Sequence, residues 1–190
     1  MAKRIQIQLI VVTVTLALIA VACGGSAKTQ QPAASPARQS APQSVPEVAV
    51  GTNIGQRAPD FTLKDLQGNP ISLSDFRGRP VLLNFMHTWC VPCNNSAPRM
   101  KDAFDANQDK GFVILSVDVQ EPPSATRAFI DKYGLAYPFV LDSKGDIQRL
   151  YGARAMPISF FLDANGVIQA IQPGELTRAW IEDTLADVSS

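Results

Sequence analysis

Two cysteines with a short spacing, Cys90 and Cys93, are the residues of this chain best suited to covalent chemistry. They stand in the segment WCVPC, which begins two residues after the apolar run VLLNFM and precedes apolar residues at helical spacing. This pattern predicts that Cys90 lies where a strand ends and that Cys93 lies in the first turn of a helix. The unpaired N–H groups of a helix N-terminus stabilise a thiolate, the form of cysteine that attacks disulfides. Pro92 suits the first helical turn because its missing N–H costs little there.

Three kinds of site fit two cysteines at this spacing. A zinc site needs about four ligands, and beyond these cysteines the domain offers only one histidine, His87, so no metal is expected here. A structural disulfide over such a short loop adds little stability, because the stabilisation grows with the length of the loop that is closed. A redox pair explains the helix start, the proline between the cysteines and Trp89 beside them. The sequence therefore favours a redox pair over the other two.

The elements that position the cysteines follow from the pattern of apolar residues. Two short alternating runs, Phe61–Leu63 and Ile71–Leu73, flank a QGN turn and predict a β-hairpin. Val81–Met86 has too little polarity for an edge strand, so it is predicted to be a buried central strand. The helix that carries Cys93 is predicted to run to about Asn107, because apolar residues recur at helical spacing up to that point.

The rest of the chain alternates between strand and helix patterns. FVILSVDV predicts a second buried strand, PPSATRAFIDKYG a helix, PFVLD a short strand and GDIQRLYG a short helix. ISFFLDANGVIQAIQ predicts two strands joined at ANG, and GELTRAWIEDTLADV predicts a closing amphipathic helix. Strands separated by helices pair in parallel, whereas a hairpin is antiparallel. The sequence therefore predicts an α/β, thioredoxin-like fold: a mixed central sheet flanked by helices, with an N-terminal β-hairpin and a central αβ insertion at Glu121–Asp142.

The charge balance argues against a nucleic-acid partner. The 190-residue chain has 17 Lys plus Arg and 17 Asp plus Glu, and the basic residues are scattered along it. A protein that binds nucleic acid needs basic residues clustered on one face or stripe. We therefore expect no nucleic acid among the partners, and no motif in the sequence indicates a cofactor.

The first residues predict export from the cytoplasm. Lys3 and Arg4 precede the uncharged run IQIQLIVVTVTLALIAVA, the layout of a secretory signal at residues 1–22. The following AVAC resembles a bacterial lipobox, in which Cys23 is lipidated and becomes the new N-terminus, although Ala20 stands where leucine is more usual. An uncleaved anchor and an ordinary signal cleaved nearby are the alternatives. Every version predicts an extracytoplasmic location, and lipidation predicts anchoring to the outer face of the bacterial cell membrane.

The chain divides into three parts by composition. After the signal, residues 23–54 are rich in alanine, serine, glutamine and proline, which predicts a disordered tether behind the lipidated Cys23. Residues 55–190 carry the periodic patterns and are predicted to form one thioredoxin-like domain. A domain on such a tether is expected to meet its partners near the membrane.

Several segments in order resemble one protein family. FMHTWCVPC and AMPISFFLDANG, together with APDFTL, LSDFRGRPVLLNF and DKYGLAYPFVLD, are similar to the TlpA/ResA group of membrane-tethered thioredoxin-like proteins. The resemblance runs from Gly55 to about Val188. It implies that Cys90 is the exposed nucleophile, that Cys93 is the resolving partner, and that Met156–Pro157 is a cis peptide bond facing the cysteines.

The same resemblance implies a substrate surface and partners. Trp89, Pro92, Met156 and Pro157 are the expected substrate-binding residues around the cysteines. Some members of the group reduce apocytochrome c or copper-site disulfides with electrons from a membrane thiol donor. The expected partners are therefore protein disulfides, with apocytochrome c among them, and a membrane thiol–disulfide electron donor.

Two departures from related sequences concern the proton of Cys93. Thioredoxins often bury an aspartate six residues before the first cysteine, where this chain has Asn84. Members of the TlpA/ResA group often carry a glutamate three residues after the second cysteine, where this chain has Ser96. Asp118, at the end of the neighbouring predicted strand, is the only substitute that the sequence suggests. The cysteine pair is therefore predicted to be reactive in unusually neutral surroundings.

Two other functions remain as alternatives. Peroxiredoxins share an opening of the APDFTL kind, but their peroxide site needs Pro-x-x-x-Thr-x-x-Cys, and here Leu83 and His87 stand at the proline and threonine positions. Copper chaperones of the thioredoxin superfamily usually have a wider cysteine spacing and a distant histidine. His87 is the only histidine of this chain and is interpreted as a packing or surface residue.

Overall fold

The computed structural model describes residues 48–188, and the elements that it contains follow the predicted order. The strands are β1 (Thr62–Asp65), β2 (Pro70–Ser72), β3 (Val81–Met86), β4 (Val113–Val119), β5 (Phe139–Asp142), β6 (Ile158–Leu162) and β7 (Ile168–Pro173). The helices are α1 (Val91–Asn107), α2 (Pro123–Tyr133), α3 (Asp146–Leu150) and α4 (Arg178–Val188). Short 3₁₀ turns at Leu73–Phe76 and Gln108–Lys110 complete the fold.

One mixed sheet organises the domain. Its strand order is β2-β1-β5-β4-β3-β6-β7. β3, β4 and β5 pair in parallel, whereas β1, β2, β6 and β7 join by antiparallel pairing. The parallel strands alternate with helices and the antiparallel ones form the two hairpins, as the sequence predicted. The α/β class, the mixed sheet, the N-terminal hairpin and the inserted α2–β5 unit are therefore confirmed.

The two central strands are buried along their whole length. Every residue of β3 and β4 is buried, because helices or connecting segments cover both faces of the sheet. On one face, Leu83 and Phe85 pack with Tyr151, which follows α3. On the other, Leu82 and Met86 pack with side chains of α1, α2 and α4, and this second cluster also contains both cysteines.

The turn between β6 and β7 shows how a local pattern sets the geometry. The predicted ANG turn is held by Asp163, whose Oδ1 accepts hydrogen bonds from the N–H groups of Asn165 and Val167 at 2.8 and 2.9 Å. Gly166 has a φ of 72°, a left-handed conformation that glycine adopts without steric cost. The turn residues therefore specify the β6–β7 hairpin, and β6 pairs with β3 along its other edge.

Pairing begins before the predicted start of the domain at residue 55. The N–H of Arg57 donates to the carbonyl oxygen of Ala49, and the N–H of Gly51 donates to that of Arg57, both at 2.9 Å. The folded part thus includes several residues assigned to the tether. The remainder of the tether, the signal at 1–22 and the lipidation site Cys23 lie outside the described residues. Among the helices within residues 48–188, none combines the length and apolar character needed to cross a membrane.

Candidate active site

The cysteines lie at the junction that the sequence predicted. Cys90 is the N-cap of α1, and Cys93 lies in its first turn. A disulfide joins them, with the Cα atoms 5.2 Å apart. The N–H of Cys93 donates to the Cys90 sulfur at 3.2 Å, so a helix N-terminal N–H points at the atom that carries the charge in the thiolate form. This geometry favours Cys90 as the attacking sulfur once the pair is reduced.

The two sulfurs differ in surroundings more than in exposure. Cys90 is 6% exposed and Cys93 is 4% exposed. In the disulfide form, Cys90 is therefore less exposed to solvent than the sequence predicted. Cys90, however, lines a surface pocket of about 500 Å³, whereas Cys93 lines an internal cavity of about 10 Å³. Cys90 is therefore the cysteine beside the surface pocket, and its role as nucleophile with Cys93 as the resolving partner stays a prediction.

The predicted substrate residues separate into surface and supporting positions. Trp89 is 71% exposed, and Pro92 is also exposed, beside the Cys90 pocket. The Met156–Pro157 bond is cis, and the Met156 carbonyl oxygen lies 3.5 Å from Cys90 Sγ. Pro157 itself is buried, and its carbonyl oxygen accepts the N–H of Gly174 at 2.7 Å. Met156 thus lies at the pocket and Pro157 behind it in the fold, and a substrate role for either residue stays a prediction.

The pocket at Cys90 contains residues that sequence reasoning missed. Val91 is 69% exposed and adds to the apolar surface of Trp89. Gln148 and Arg154, from the segment that contains α3, complete the lining together with His87. These two positions are distant from the cysteines in the chain and belong to no motif, so only the fold brings them to the site.

The cavity at Cys93 is neutral. Asn84 and Ser116 are its polar lining residues besides Tyr137, and none of the described residues that line it is a carboxylate. Asn84 Nδ2 donates to Ser159 Oγ at 2.8 Å. Burial raises the pKa of Tyr137 far above neutrality, so this phenol keeps its proton. The predicted scarcity of proton acceptors next to Cys93 therefore appears in the structure.

Ser96 has a structural role. Its hydroxyl donates to the carbonyl oxygen of Pro92 at 2.8 Å and accepts the N–H of Leu176 at 2.9 Å. The side chain is buried and does not line the Cys93 cavity. Ser96 thus fastens the first turn of α1 to the segment before α4.

Asp118, the substitute acid suggested by the sequence, belongs to a different cluster. It is 1% exposed in β4, does not line the cavity at Cys93, and accepts a hydrogen bond from the Thr126 hydroxyl. Burial, together with the neighbouring Glu121 carboxylate, raises the pKa of Asp118 to about 7. Burial acts on Glu121 in the same direction, but hydrogen bonds with Asp118 and Thr88 and the nearby His87 outweigh it and lower the pKa of Glu121.

Glu121 holds the loop that leads to the nucleophile. It accepts the Thr88 N–H and the Thr88 hydroxyl, each at 2.6 Å. Asn94 of α1 holds the same loop from the other side, because its Nδ2 donates to the carbonyl oxygens of Thr88 and Cys90 at 2.7 and 2.8 Å. Asn94 Oδ1 in turn accepts the Tyr133 hydroxyl at 2.8 Å. Neither Glu121 nor Asn94 was singled out from the sequence, since both act through backbone groups of other segments.

Comparisons with known proteins agree with this site. Residues 54–171 match the AhpC/TSA family. Over 138 residues the chain is 40% identical to the thioredoxin-like protein YneN of Bacillus subtilis, covering 72% of this chain and 81% of YneN. It is 39% identical over 137 residues to the thiol-disulfide oxidoreductase ResA of Bacillus thuringiensis subsp. konkukian, covering 72% of this chain and 79% of that protein.

A solved structure supports the fold. A protein of Chlorobium tepidum described as a thiol:disulfide interchange protein DsbE superposes with a TM-score of 0.66 at 30% identity, covering 70% of this chain and 96% of that one. The thioredoxin-like fold and the resemblance to the ResA group are thereby confirmed. With a disulfide-bonded Cys90–Cys93 pair at the start of a helix, the chain belongs to the AhpC/TSA family and is a thiol–disulfide oxidoreductase of the ResA and DsbE type.

Proposed function

We propose that this protein is a membrane-tethered, extracytoplasmic oxidoreductase that reduces disulfides of protein partners. The observation that carries the proposal is the 3.5 Å contact between Cys90 Sγ and the Met156 carbonyl oxygen at the surface pocket. Backbone groups beside the sulfur can pair with an extended segment of a partner, as in strand addition. The exposed Trp89 and Val91 supply apolar surface next to it.

The reaction is a pair of thiol–disulfide exchanges. In the reduced protein, the Cys90 thiolate attacks one sulfur of a partner disulfide, that S–S bond breaks, and the other partner sulfur leaves as a thiolate. Cys93 then loses its proton and attacks the Cys90 sulfur, which forms the Cys90–Cys93 disulfide and releases the second partner thiolate. Two electrons pass to the partner, whose thiolates take up protons, and a thiol donor must afterwards reduce the pair.

The resemblance to the TlpA/ResA group supports the identity of the partners. It favours a thiol–disulfide protein of the membrane as the electron donor and apocytochrome c as a substrate. Lipidation of Cys23 would keep the domain beside such a donor. Mass spectrometry of the mature protein tests the anchor: we expect a chain that begins at a diacylated Cys23, and an unmodified Cys23 or an intact apolar run would contradict it.

The direction of electron flow is tested by the reduction potential of the Cys90–Cys93 pair. The protein is equilibrated with thiol and disulfide buffers, and the oxidised fraction is read by mass spectrometry after alkylation of free thiols. A reductant is expected to have a value near about −270 mV, as in thioredoxin, whereas a value near about −120 mV would assign an oxidant. The Cys93→Ser variant, which cannot form the disulfide, is the control.

The substrate is tested in cells that lack the gene. We expect less covalently bound haem in membrane cytochromes, with recovery on expression of the natural sequence and no recovery with Cys90→Ser. An added small thiol should also restore the haem, because the missing function is reduction. Unchanged haem levels would exclude a role in cytochrome c maturation. The substrates of the reductase would then be disulfides of other proteins.

A further inference from the structure

Three ligand-type side chains outside the cysteine pair converge beside the active-site loop. His87 follows β3, Asp118 lies in β4 and Glu121 lies between β4 and α2; each offers one donor atom, and these atoms lie within 4.8 Å of one another. His87 Nδ1 is 3.8 Å from Glu121 Oε2. The convergence follows from the fold, because β3 and β4 are parallel neighbours that end at the same edge of the sheet.

Two of the three donor atoms are buried without a partner. With both carboxyl groups ionised, neither His87 Nδ1 nor Asp118 Oδ1 has a hydrogen-bond partner in the described part of the chain, and Asp118 is 1% exposed. Only a protonated Asp118 can donate a hydrogen bond to Glu121. Buried polar side-chain atoms are nearly always hydrogen-bonded, so a pair of unpaired atoms in one place needs an explanation. Both atoms face the same small group of side chains.

Neighbouring residues already orient the three side chains. The Thr126 hydroxyl donates to Asp118 Oδ2, which leaves Oδ1 as the free oxygen. Thr88 fixes Glu121 through two hydrogen bonds, and the His87 ring stacks on Trp89 with ring centroids 4.8 Å apart. Hydrogen bonds such as those on Asp118 and Glu121 are typical of metal sites, where they hold carboxylate ligands in a binding orientation.

One occupant accounts for both unpaired atoms. A hydrogen bond between the two carboxyl groups would serve Asp118 Oδ1 and leave His87 Nδ1 without a partner. A single cation bound to all three side chains contacts both unpaired atoms. Its positive charge also compensates the negative charge of the two buried carboxylates. We propose that His87 Nδ1, Asp118 Oδ1 and Glu121 Oε2 bind a divalent transition-metal ion such as Zn²⁺.

The donor set selects the class of ion. An imidazole nitrogen with carboxylate oxygens suits zinc and similar transition metals, whereas Mg²⁺ prefers oxygen ligands and several waters. Zinc bonds to these donors are roughly 2.0–2.2 Å long, so two ligands at a tetrahedral angle lie about 3.4 Å apart. The His87–Glu121 separation of 3.8 Å is close to this value, whereas a pair at the upper limit of 4.8 Å must close by about 1 Å when the ion binds.

The proposed metal site uses no cysteine as a ligand. The expectation from the sequence that metal is absent considered only the cysteines and His87 as ligands, and the two carboxylates change that set. Because Glu121 also holds Thr88, a bound ion would steady the loop that leads to Trp89 and Cys90. The inference goes beyond disulfide exchange and does not depend on its direction or its substrate.

The test uses the full-length chain, without a polyhistidine tag, with the Cys90–Cys93 disulfide formed and Cys23 alkylated. Sulfur ligands are then blocked, and Zn²⁺ is added while heat release and the nitrogen-15 NMR signals of the imidazole are followed. His87 is the only histidine of the chain, so the imidazole signals report on this site alone. We expect one ion per chain and a shift of the Nδ1 resonance, with no shift on addition of Mg²⁺.

Variants separate this site from unspecific binding. Asp118→Asn and Glu121→Gln should each weaken the affinity for Zn²⁺ at least about tenfold. Asp109→Asn, which removes an exposed carboxylate from the turn after α1, should leave it unchanged. If Asp118→Asn does not fold, the affinity of Glu121→Gln and the NMR titration of the natural sequence decide whether zinc binds at this site. No saturable binding up to about 1 mM Zn²⁺, an unmoved Nδ1 resonance, or an affinity insensitive to both variants would overturn the proposal.

Discussion

At the scale of single residues, the feature that distinguishes this active site is the neutral surroundings of Cys93. Asn84, Ser116 and Tyr137 supply the polar groups of its cavity, and Asp118 lies outside the lining. Cys93 must lose its proton to release a partner, and a buried thiolate without a proton acceptor nearby is unfavourable. We therefore expect attack by Cys90 to be fast and release of the mixed disulfide to be slow near neutral pH.

Asn84→Asp tests this expectation. Aspartate has nearly the same shape, the Ser159 hydroxyl can donate to it, and it places a carboxylate in the cavity beside Cys93. Stopped-flow kinetics of the two steps should show release accelerated about tenfold or more at pH 7, with the first step little changed. In the natural sequence, release should accelerate as pH rises, because more Cys93 is ionised.

Ser96→Ala is the matched control. The Ser96 hydroxyl bonds only to backbone groups among its hydrogen bonds in residues 48–188, so its loss should lower stability and leave the release rate unchanged. Fast, pH-independent release in the natural sequence, unaltered by Asn84→Asp, would show that a water relay suffices. The small cavity has roughly the volume that one water needs.

Trp89 is the residue for which the structure predicts a substrate role most directly. It is 71% exposed beside Cys90, which is unusual for an indole in a folded domain. Trp89→Ala should slow exchange with a protein disulfide by about 30-fold, the effect of losing an aromatic contact at the centre of an interface. Exchange with a small disulfide should change little. An equal loss for both substrates would assign Trp89 to the reactivity of Cys90 rather than to docking.

At the scale of elements, the site depends on how strands end. β3 leads to α1 and the cysteines, β4 leads to Glu121, and the segment before β6 brings Met156. α3 contributes Gln148 to the pocket, and Asp142 at the end of β5 fixes its start by accepting the N–H groups of Asp146 and Gln148 at 2.9 and 2.8 Å. Asp142 is buried, so both bonds are shielded from water.

Asp142→Ala should therefore lower the free energy of unfolding by about 1–3 kcal/mol, because two N–H groups lose their acceptor. Urea denaturation followed by circular dichroism measures the change. Asp142→Asn keeps one acceptor oxygen and should cost less. Equal losses for the two variants would mean that the negative charge, rather than the hydrogen bonds, stabilises this junction.

At the scale of the whole molecule, the sequence predicted what local patterns determine. The order of elements, the buried strand before the cysteines and the helix that begins at Cys90 all follow from periodicity and from Pro92. The bounds of β1 and β2 shift by one or two residues, because alternation marks a strand better than its ends. The start of pairing at Ala49 was missed, since a polar, proline-rich segment gives no periodic signal.

Features that depend on several segments could not be predicted. Asp118 was proposed as an acid for Cys93 from its place at a strand end, but the side chain meets Thr126 and Glu121 instead. Glu121, the carboxylate next to Asp118, was interpreted only as the start of the predicted αβ insertion. Asp118 lies near the end of one buried strand, Glu121 follows that strand, and His87 follows another. This pattern indicates a cluster only when the pairing of β3 with β4 is known.

The central claim, that Cys90 attacks partner disulfides and Cys93 resolves the product, is tested by trapping in cells. Full-length Cys93→Ser and Cys90→Ser variants are expressed at equal levels, free thiols are alkylated, and mixed disulfides are separated without reductant and identified by mass spectrometry. Cys93→Ser should accumulate partner proteins bound through Cys90 and release them on reduction, whereas Cys90→Ser should accumulate none. Mixed disulfides on Cys90→Ser and their absence on Cys93→Ser would contradict the account.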